Sequence, residues 1–315
     1  MEGKGGLEGE ALQEKNIPLL VIAGPTAGGK TSLAIDLALA LHGEIVSADS
    51  MQIYSGMDIA TAKPVKEEMR GVPHHLIDIV EPGERFSVAQ YALLAHTTIR
   101  EIHAKKKLPI LCGGTGLYIQ AVTENLQLTE GEFKHGSTGT WRELNEIDPV
   151  HAAKVHPNDH KRASHALALY RATGVTITQQ NLRSRQSPSP YDARMFFLNA
   201  RERSFLYERI DSRVEQMLAM GLLEEASFQR QEAKGTAAQA IGHKELEPYF
   251  QGQCSLEEAV ANLKRETRRY AKRQLSWFRR MAREWNERLP GSCIELFIED
   301  DNLPERALEY ARRAL

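Results

Sequence analysis

One segment of the chain has the residue types and spacing of a chemical site: Gly24-Pro25-Thr26-Ala27-Gly28-Gly29-Lys30-Thr31. It matches the phosphate-binding pattern G-x-x-x-x-G-K-[ST]. Glycines let successive backbone N–H groups turn inward and form an anion cradle. A helix beginning behind the loop adds the partial positive charge of its N-terminus. Lys30 is placed to reach a terminal phosphate, and the Thr31 hydroxyl to coordinate Mg²⁺. ATP is the usual guest, but any di- or triphosphate fits this chemistry. The competing reading is a glycine-rich turn without a ligand. Asp49, in Ser47-Ala48-Asp49-Ser50, falls at the carboxyl end of a second strand. Open α/β sheets bind their ligands at that edge. Asp49 therefore suits a general base or a magnesium partner; otherwise it is a turn or capping aspartate. Gly113-Gly114-Thr115-Gly116 follows a later strand at the same edge. Its glycines allow close approach, and Thr115 offers a hydroxyl.

The elements that must position these residues alternate between strand and helix. The short apolar run 17–23, bounded by Gly24-Pro25, reads as a buried strand. Residues 30–42 read as a helix stopped by Gly43. Residues 44–48, 75–80 and 108–112 read as further strands, with a helix over 88–106 and a fifth strand over 195–199. This alternation predicts an α/β fold with a P-loop, doubly wound parallel sheet. Between Glu124 and Tyr191 no strand pattern persists. Asp159 and Gly174 read as the caps of one helix in that stretch. Ser187-Pro188-Ser189-Pro190 reads as a linker, and the chain is helical over 201–231 and 256–288. The expected organisation is a loose tail over 1–16, a P-loop catalytic core over 17–123, a helical insertion over 124–192, and a return to the core with basic C-terminal helices over 193–315. No internal repeat is present.

Composition removes whole classes. The chain has 315 residues, 42% of them hydrophobic, and a formal net charge of −2. That is ample apolar material for a core, so disorder is excluded. Three scattered cysteines, Cys112, Cys254 and Cys293, cannot build a disulfide framework. Apolar runs such as 19–23 fall far short of the roughly 18–20 residues of a spanning helix, and the start has no signal or transit pattern. A cytoplasmic protein is expected. The near-neutral total hides a local excess: residues 261–283 hold nine Lys and Arg against Glu266 alone, a net +8. Leu263, Thr267, Tyr270, Gln274, Trp277 and Met281 form a helical stripe that can face a core. The cations on the other faces are either a solvated surface or a surface tracking nucleic-acid phosphates.

GPTAGGKT (24–31), SADSMQIYSGMDIATAKP (47–64), GVPHHLIDI (71–79), GGTGLYI (113–119), DPVHAAKVHPND (148–159), RIDSRVEQMLAMG (209–221), QAIGHKE (239–245) and AKRQLSWFRR (271–280) together resemble the motif series of bacterial tRNA dimethylallyltransferases. The resemblance runs from about residue 17 to 283. It implies that the loop holds the diphosphate of dimethylallyl diphosphate with Mg²⁺. It further implies transfer of the allyl group to N6 of the adenosine 3′ to the anticodon. By position, Lys30 and Thr31 bind the diphosphate and its metal, Arg213 adds a cation to the leaving group, Asp49 accepts the N6 proton, and Thr115 helps hold the extruded adenine. The implied tRNA contacts are Asp49, Ser50, Met51 and Gln52; Lys161, Arg162, Ala163, Ser164 and His165; and Gln239, Ala240, Ile241, Gly242, His243 and Lys244. The partner is the tRNA anticodon stem-loop, and a monomer is expected. The chain departs from the family pattern at His165 (usually Arg), His243 (usually Tyr) and Ala60 (usually Gly), and is about a dozen residues shorter over 125–148. An adenylate isopentenyltransferase, a P-loop kinase and a non-catalytic RNA-binding relative are the alternatives. Asp78 in HLIDI would favour the kinase if it acted as a metal-binding acid.

Four histidines, His151, His156, His160 and His165, recur every four or five residues. Pro157 interrupts them and no cysteine accompanies them, so exposed or RNA-facing roles fit better than zinc. His74-His75 reads as packing beside a strand, Trp141, Trp277 and Trp285 as core, and Cys112 as buried and inert.

Overall fold

The computed structural model describes residues 16–128, 139–185 and 188–315. Most of the expected tail, part of the insertion (129–138) and Ser187 of the expected linker lie outside the described residues. In chain order the elements are β1 (Ile17–Ala23), α1 (Lys30–Leu41), β2 (Gly43–Ser47), α2 (Lys66–Met69), β3 (His74–His75), α3 (Val88–Ala104), β4 (Leu108–Gly113) and α4 (Gly116–Thr123). Four helices follow: α5 (Trp141–Ile147), α6 (Pro149–Ala152), α7 (His160–Thr173) and α8 (Ile177–Arg185). Then come β5 (Tyr191–Asn199), α9 (Arg203–Ala219), α10 (Leu222–Glu232), α11 (Glu247–Phe250), α12 (Leu256–Arg288), β6 (Cys293–Phe297) and α13 (Leu303–Ala314).

The six strands form one parallel sheet in the order β3-β2-β4-β1-β5-β6. In β1, Leu19, Val21 and Ala23 face the side packed by α3, α4, α9 and α12, while Leu20 and Ile22 face α1 and α13. Both faces are buried, which is why the strand is a continuous apolar run rather than an alternating one. Ala23 lies opposite Gly113, and Ser47 opposite Cys112. The phosphate loop, the 48–52 turn and the 113–116 turn therefore leave the sheet side by side at its carboxyl edge. A Cβ on Gly113 would fall 2.1 Å from the Ala48 carbonyl oxygen, so the close approach of these turns requires glycine.

Three expectations need correction. The third strand is not 75–80: it stops at His75, and Leu76 and Asp78 take left-handed φ values of 61° and 54°. The ammonium of Lys63, only 5% exposed, draws the chain into this bend by pairing with Asp58 and Asp78 and donating to the Tyr54 carbonyl. The chain then touches a strand-like partner only once, at Tyr54–Val80. The helix expected over 201–231 is broken at Gly221, whose φ is 101°. The C-terminal region is not wholly helical: β6 extends the sheet beside β5, and α13 packs Ala307 and Ala311 against Leu296.

The insertion has its own core of Leu144, Ala152, Val155, Ala163, Ala166 and Leu167. Buried Asp148 caps α6 through the His151 N–H at 3.1 Å and takes the Thr178 N–H at 2.9 Å, tying α6 to α8. Asp159 caps α7 through the Arg162 N–H at 3.0 Å, and Gly174 ends it with φ 68°.

Two glycine variants separate close approach from backbone strain. Gly113→Ala is expected to destabilise the chain by about 3 kcal/mol or more, because the β2 and β4 ends must separate. Gly174→Ala, with nothing within 4 Å of the added carbon, is expected to lose only about 1–2 kcal/mol for its left-handed φ. Urea midpoints of the two chains check this; equal midpoints would show that the strand ends yield freely.

Candidate active site

The phosphate loop is tied down from three directions. Gly29, with φ 76°, turns the chain into α1. Lys30 Nζ donates back across the loop to the Pro25 carbonyl at 2.7 Å. Arg209 Nε, from α9, donates to the Ala27 carbonyl at 2.8 Å. Gln274 Oε1, from α12, accepts the Thr26 N–H at 2.8 Å. Burial pushes the Lys30 ammonium down to about 8, against partial support from Cys112 and Asp49 and further opposition from Arg213. Burial also lowers Arg213; Asp49 supports its charge and Arg209 opposes it. Lys30, Arg209, Arg213 and Asp49 thus share one crevice. Three cations meet Asp49 and, beside Arg213, Glu68 about one loop, which leaves the crevice net positive and suited to an anion.

Asp49 does satisfy the bland reading, since its Oδ1 accepts the Met51 N–H at 2.9 Å and holds the turn. Among the described residues Oδ2 has no hydrogen-bond partner, so the same carboxylate keeps an acceptor for a ligand. Thr115 joins the two turns: its N–H donates to the Ala48 carbonyl at 3.1 Å, and its Oγ1 accepts the Ser50 N–H at 3.0 Å. Beneath them Tyr91 and Tyr118 stack at 3.9 Å between centroids, and the Tyr91 hydroxyl donates to the Ser47 carbonyl at 2.9 Å. Burial raises both phenols, and the Asp49 charge raises them further, keeping them neutral. Gln52 Nε2 donates to the carbonyls of Thr61 and Ala62 at 3.2 and 3.3 Å, fixing the loop above. Burial pushes the Cys112 thiol beside Lys30 up to about 12, which makes it inert as expected.

The structure divides the expected RNA-contact segments. Lys161, Arg162 and His165 are exposed and Ser164 is half-buried, but Ala163 is fully buried in the insertion core. Its side chain faces helix neighbours and cannot meet RNA. In the second segment Gln239 and Lys244 are exposed and Ile241 half-buried, whereas Ala240, Gly242 and His243 are buried. His243 Nε2 instead bonds Glu225 Oε1 at 2.9 Å. The two carboxylate oxygens of Glu225 also accept the Asp58, Ile59 and Ala60 N–H groups at 2.8, 2.6 and 3.0 Å. One buried carboxylate therefore locks the 49–64 loop to the 239–245 segment, and its hydrogen bonds, chiefly that from His243, hold it below the usual carboxylate range despite burial.

The local +8 of α12 is partly neutralised. Lys264 pairs with Glu215, Arg268 with Asp211, Arg265 and Arg269 with Glu266, and Arg280 with Glu284. Lys272, Arg273 and Arg283 remain exposed, with Arg273 over the Tyr270 ring at 5.7 Å. The inner stripe is as expected in direction: Leu263, Gln274 and Met281 are buried, and Thr267, Tyr270 and Trp277 half-buried.

Three site residues escaped the sequence reading. Arg209 stands four before Arg213, on the same helix face, and that spacing was its signal. Gln274 is a polar member of an otherwise largely apolar stripe. Tyr270, beside Thr115 and Gln274, has no distinguishing signal. The four histidines do not converge, and among the described residues no group of three or more His, Cys, Asp or Glu could hold a metal ion. Asp78 is half-exposed on Lys63, just after the edge strand β3, which β2 and β4 separate from β1.

The chain is similar to known proteins in both sequence and structure. The family described as IPP transferase matches residues 52–281. A tRNA dimethylallyltransferase from Caldanaerobacter subterraneus subsp. tengcongensis is 46% identical over 280 residues, spanning 84% of this chain and 89% of the relative. One from Halalkalibacterium halodurans is 47% identical over 279 residues, spanning 84% and 88%. The crystal structure of a full-length tRNA isopentenylpyrophosphate transferase from Bacillus halodurans aligns with a TM-score of 0.69 at 40% identity, covering 94% of this chain and 96% of that one. A eukaryotic dimethylallyltransferase acting on tRNA aligns with a TM-score of 0.77 at 28% identity, covering 93% and 78%. The chain belongs to the IPP transferase family.

Proposed function

We propose that the chain transfers the dimethylallyl group of dimethylallyl diphosphate to N6 of the adenosine 3′ to the anticodon in tRNA, releasing diphosphate. The observation that carries this reading is the meeting of a three-cation anion site with one carboxylate in a single crevice. The phosphate loop, Lys30, Arg209 and Arg213 hold the diphosphate. The C1–O bond breaks, and the departing negative charge passes to these cations. The N6 lone pair forms the C1–N bond, and Asp49 takes the N6 proton. The adenine leaves its stack to reach the crevice, with Thr115 and Ser50 at its edge. A kinase reading loses its acid, because Asp78 lies beyond the sheet edge. The named activities of the relatives support tRNA over free adenine nucleotide as acceptor.

Mg²⁺ suits the residues present. Thr31 is half-buried in the first turn behind the loop, and Asp49 has a spare oxygen across the crevice. Mg²⁺ binds through one or two protein oxygens, with phosphate and water completing its shell, so no larger protein cage is needed. Bound there, it would neutralise part of the diphosphate charge. For tRNA, the anticodon stem-loop is the proposed partner, met by Gln239, Lys244, Lys161, Arg162 and the exposed cations of α12. A monomer is the proposed assembly. No helix among the described residues is long and apolar enough to cross a membrane, and a tRNA substrate supports a cytoplasmic setting.

Asp49→Ala is expected to slow single-turnover transfer to an anticodon stem-loop about a hundredfold or more, with stem-loop binding retained. A comparable loss of binding would make Asp49 a reader of RNA instead. Because Lys30 loses its proton near pH 8 rather than 10.5, the free crevice loses charge as pH rises through about 8, and bound diphosphate draws the proton back. Dimethylallyl diphosphate binding should therefore take up a proton at pH 9 and little at pH 7. Calorimetry in buffers of different ionisation enthalpy measures this. Lys30→Arg, which cannot deprotonate, should remove the excess; equal uptake by both chains would refute the assignment. Arg273→Ala should lower the salt slope of stem-loop binding by about 1. Arg268→Ala, already paired with Asp211, should lower it less.

A further inference from the structure

The Gln274 side chain is buried, at 5% exposure, and both ends of its amide are used. Oε1 accepts the Thr26 N–H of the phosphate loop at 2.8 Å, and Nε2 donates to the Gly114 carbonyl at 2.9 Å. A Cβ on Gly114 would fall 2.3 Å from Nε2, so this contact needs a glycine there. The loop N–H of Thr26 is thereby committed to α12 and not to the anion, which sets how the cradle is oriented. From Gly114 the connection continues through Thr115, which accepts the Ser50 N–H at 3.0 Å next to Asp49. One turn before Gln274 on α12, Tyr270 lies beside Thr115 and Gln274; about one turn after it, Trp277 lies 2.3 Å from where a Cβ on Gly116 would sit.

We propose that Gln274 is a positioning residue for the transfer step: it is the strut that fixes the donor loop against the turn that holds the acceptor base. The proposal rests on the prenyl-transfer reading. The donor carbon hangs from the loop at one end of the amide, and the acceptor amine from the turn at the other. Beyond the pairing of β1 with β4, their separation is held by two hydrogen bonds from one side chain. Reaction rates fall on the order of a hundredfold for misplacement of about 1 Å, whereas binding to either half-site alone does not require the strut. The amide is buried and bonded at both ends, so losing it leaves the Thr26 N–H and the Gly114 carbonyl without these partners.

Single-turnover transfer of labelled dimethylallyl diphosphate to an anticodon stem-loop, measured from pH 6 to 9, tests it. Gln274→Leu should lower the transfer rate about 30- to 100-fold, while the concentrations giving half-maximal rate for both substrates change less than about threefold. Gln274→Glu supplies the decisive contrast. As a neutral carboxylic acid it accepts from Thr26 and donates to Gly114; as a carboxylate it can only accept. Its rate relative to the wild-type chain should rise as pH falls, while the Gln274→Leu ratio stays flat. A wild-type rate in Gln274→Leu, or a flat Gln274→Glu ratio, overturns the proposal. If Gln274→Leu fails to fold, the Gln274→Glu profile decides alone. Absence of transfer by the wild-type chain would instead overturn the prenyl-transfer reading.

Discussion

Lys30, Arg209 and Arg213 are gathered about one loop, and the fold must contain their mutual repulsion before any anion arrives. It does so by committing parts of them to backbone carbonyls. Lys30 is held by the Pro25 carbonyl and Arg209 by the Ala27 carbonyl, both within the same loop. Asp49 offsets part of the remaining charge from across the crevice. Burial above all, with a smaller opposition from Arg213, lowers the Lys30 proton affinity, so a buried ammonium stands in conflict with its setting. In the proposed reaction a diphosphate would relieve that conflict when it binds, and the leaving group would become more negative as the C1–O bond breaks. The same strain therefore favours both binding and departure.

That arrangement dictates much of the sheet. The cations come from α1 and α9, and the carboxylate from the end of β2, so their meeting depends on three turns leaving the carboxyl edge in register. The pairings Ala23–Gly113 and Ser47–Cys112 provide this. Gly113 then allows the β2 and β4 ends to touch. The helix α12 closes the crevice from one side. Its inner stripe carries Gln274 and Tyr270 into the site, while Lys272 and Arg273 stay exposed on the same rigid element. A helix of 33 residues, about 50 Å long, thus fixes the spacing between the donor site and a surface suited to tRNA phosphates.

What could be read from the residues was what local physics determines. The phosphate loop, β1 and the ends of α12 are set by glycine spacing, an apolar run and a Ser255 cap with an uninterrupted helical pattern. The misses came from distant partners. HLIDIV has the composition of a strand, but Lys63, from an earlier loop, takes Asp78 and bends it. Cys293–Phe297 is a short segment with Glu295 at its centre, and only its place beside β5 makes it a strand. Gln274 read as one more member of a stripe, because nothing in its neighbours says that a loop N–H and a turn carbonyl await it. The near-zero net charge likewise concealed a basic helix, and the helix in turn concealed its own acids on α9.

The departures from the family pattern at Ala60 and His243 meet at one carboxylate. The Ala60 N–H and His243 Nε2 both bond Glu225 Oε1, at 3.0 and 2.9 Å. A Cβ on Gly242 would fall 2.9 Å from the Ala60 methyl carbon. The methyl at position 60 therefore occupies the space beside residue 242, and the imidazole at 243 supplies a partner that keeps Glu225 satisfied. Because Glu225 also holds the Asp58 and Ile59 N–H groups, the pair acts on the loop that carries Gln52 toward the crevice. These residues stand behind the 49–64 and 239–245 segments and away from the phosphate loop, so in the proposed reaction they bear on the acceptor side and not on Lys30, Arg209 and Arg213.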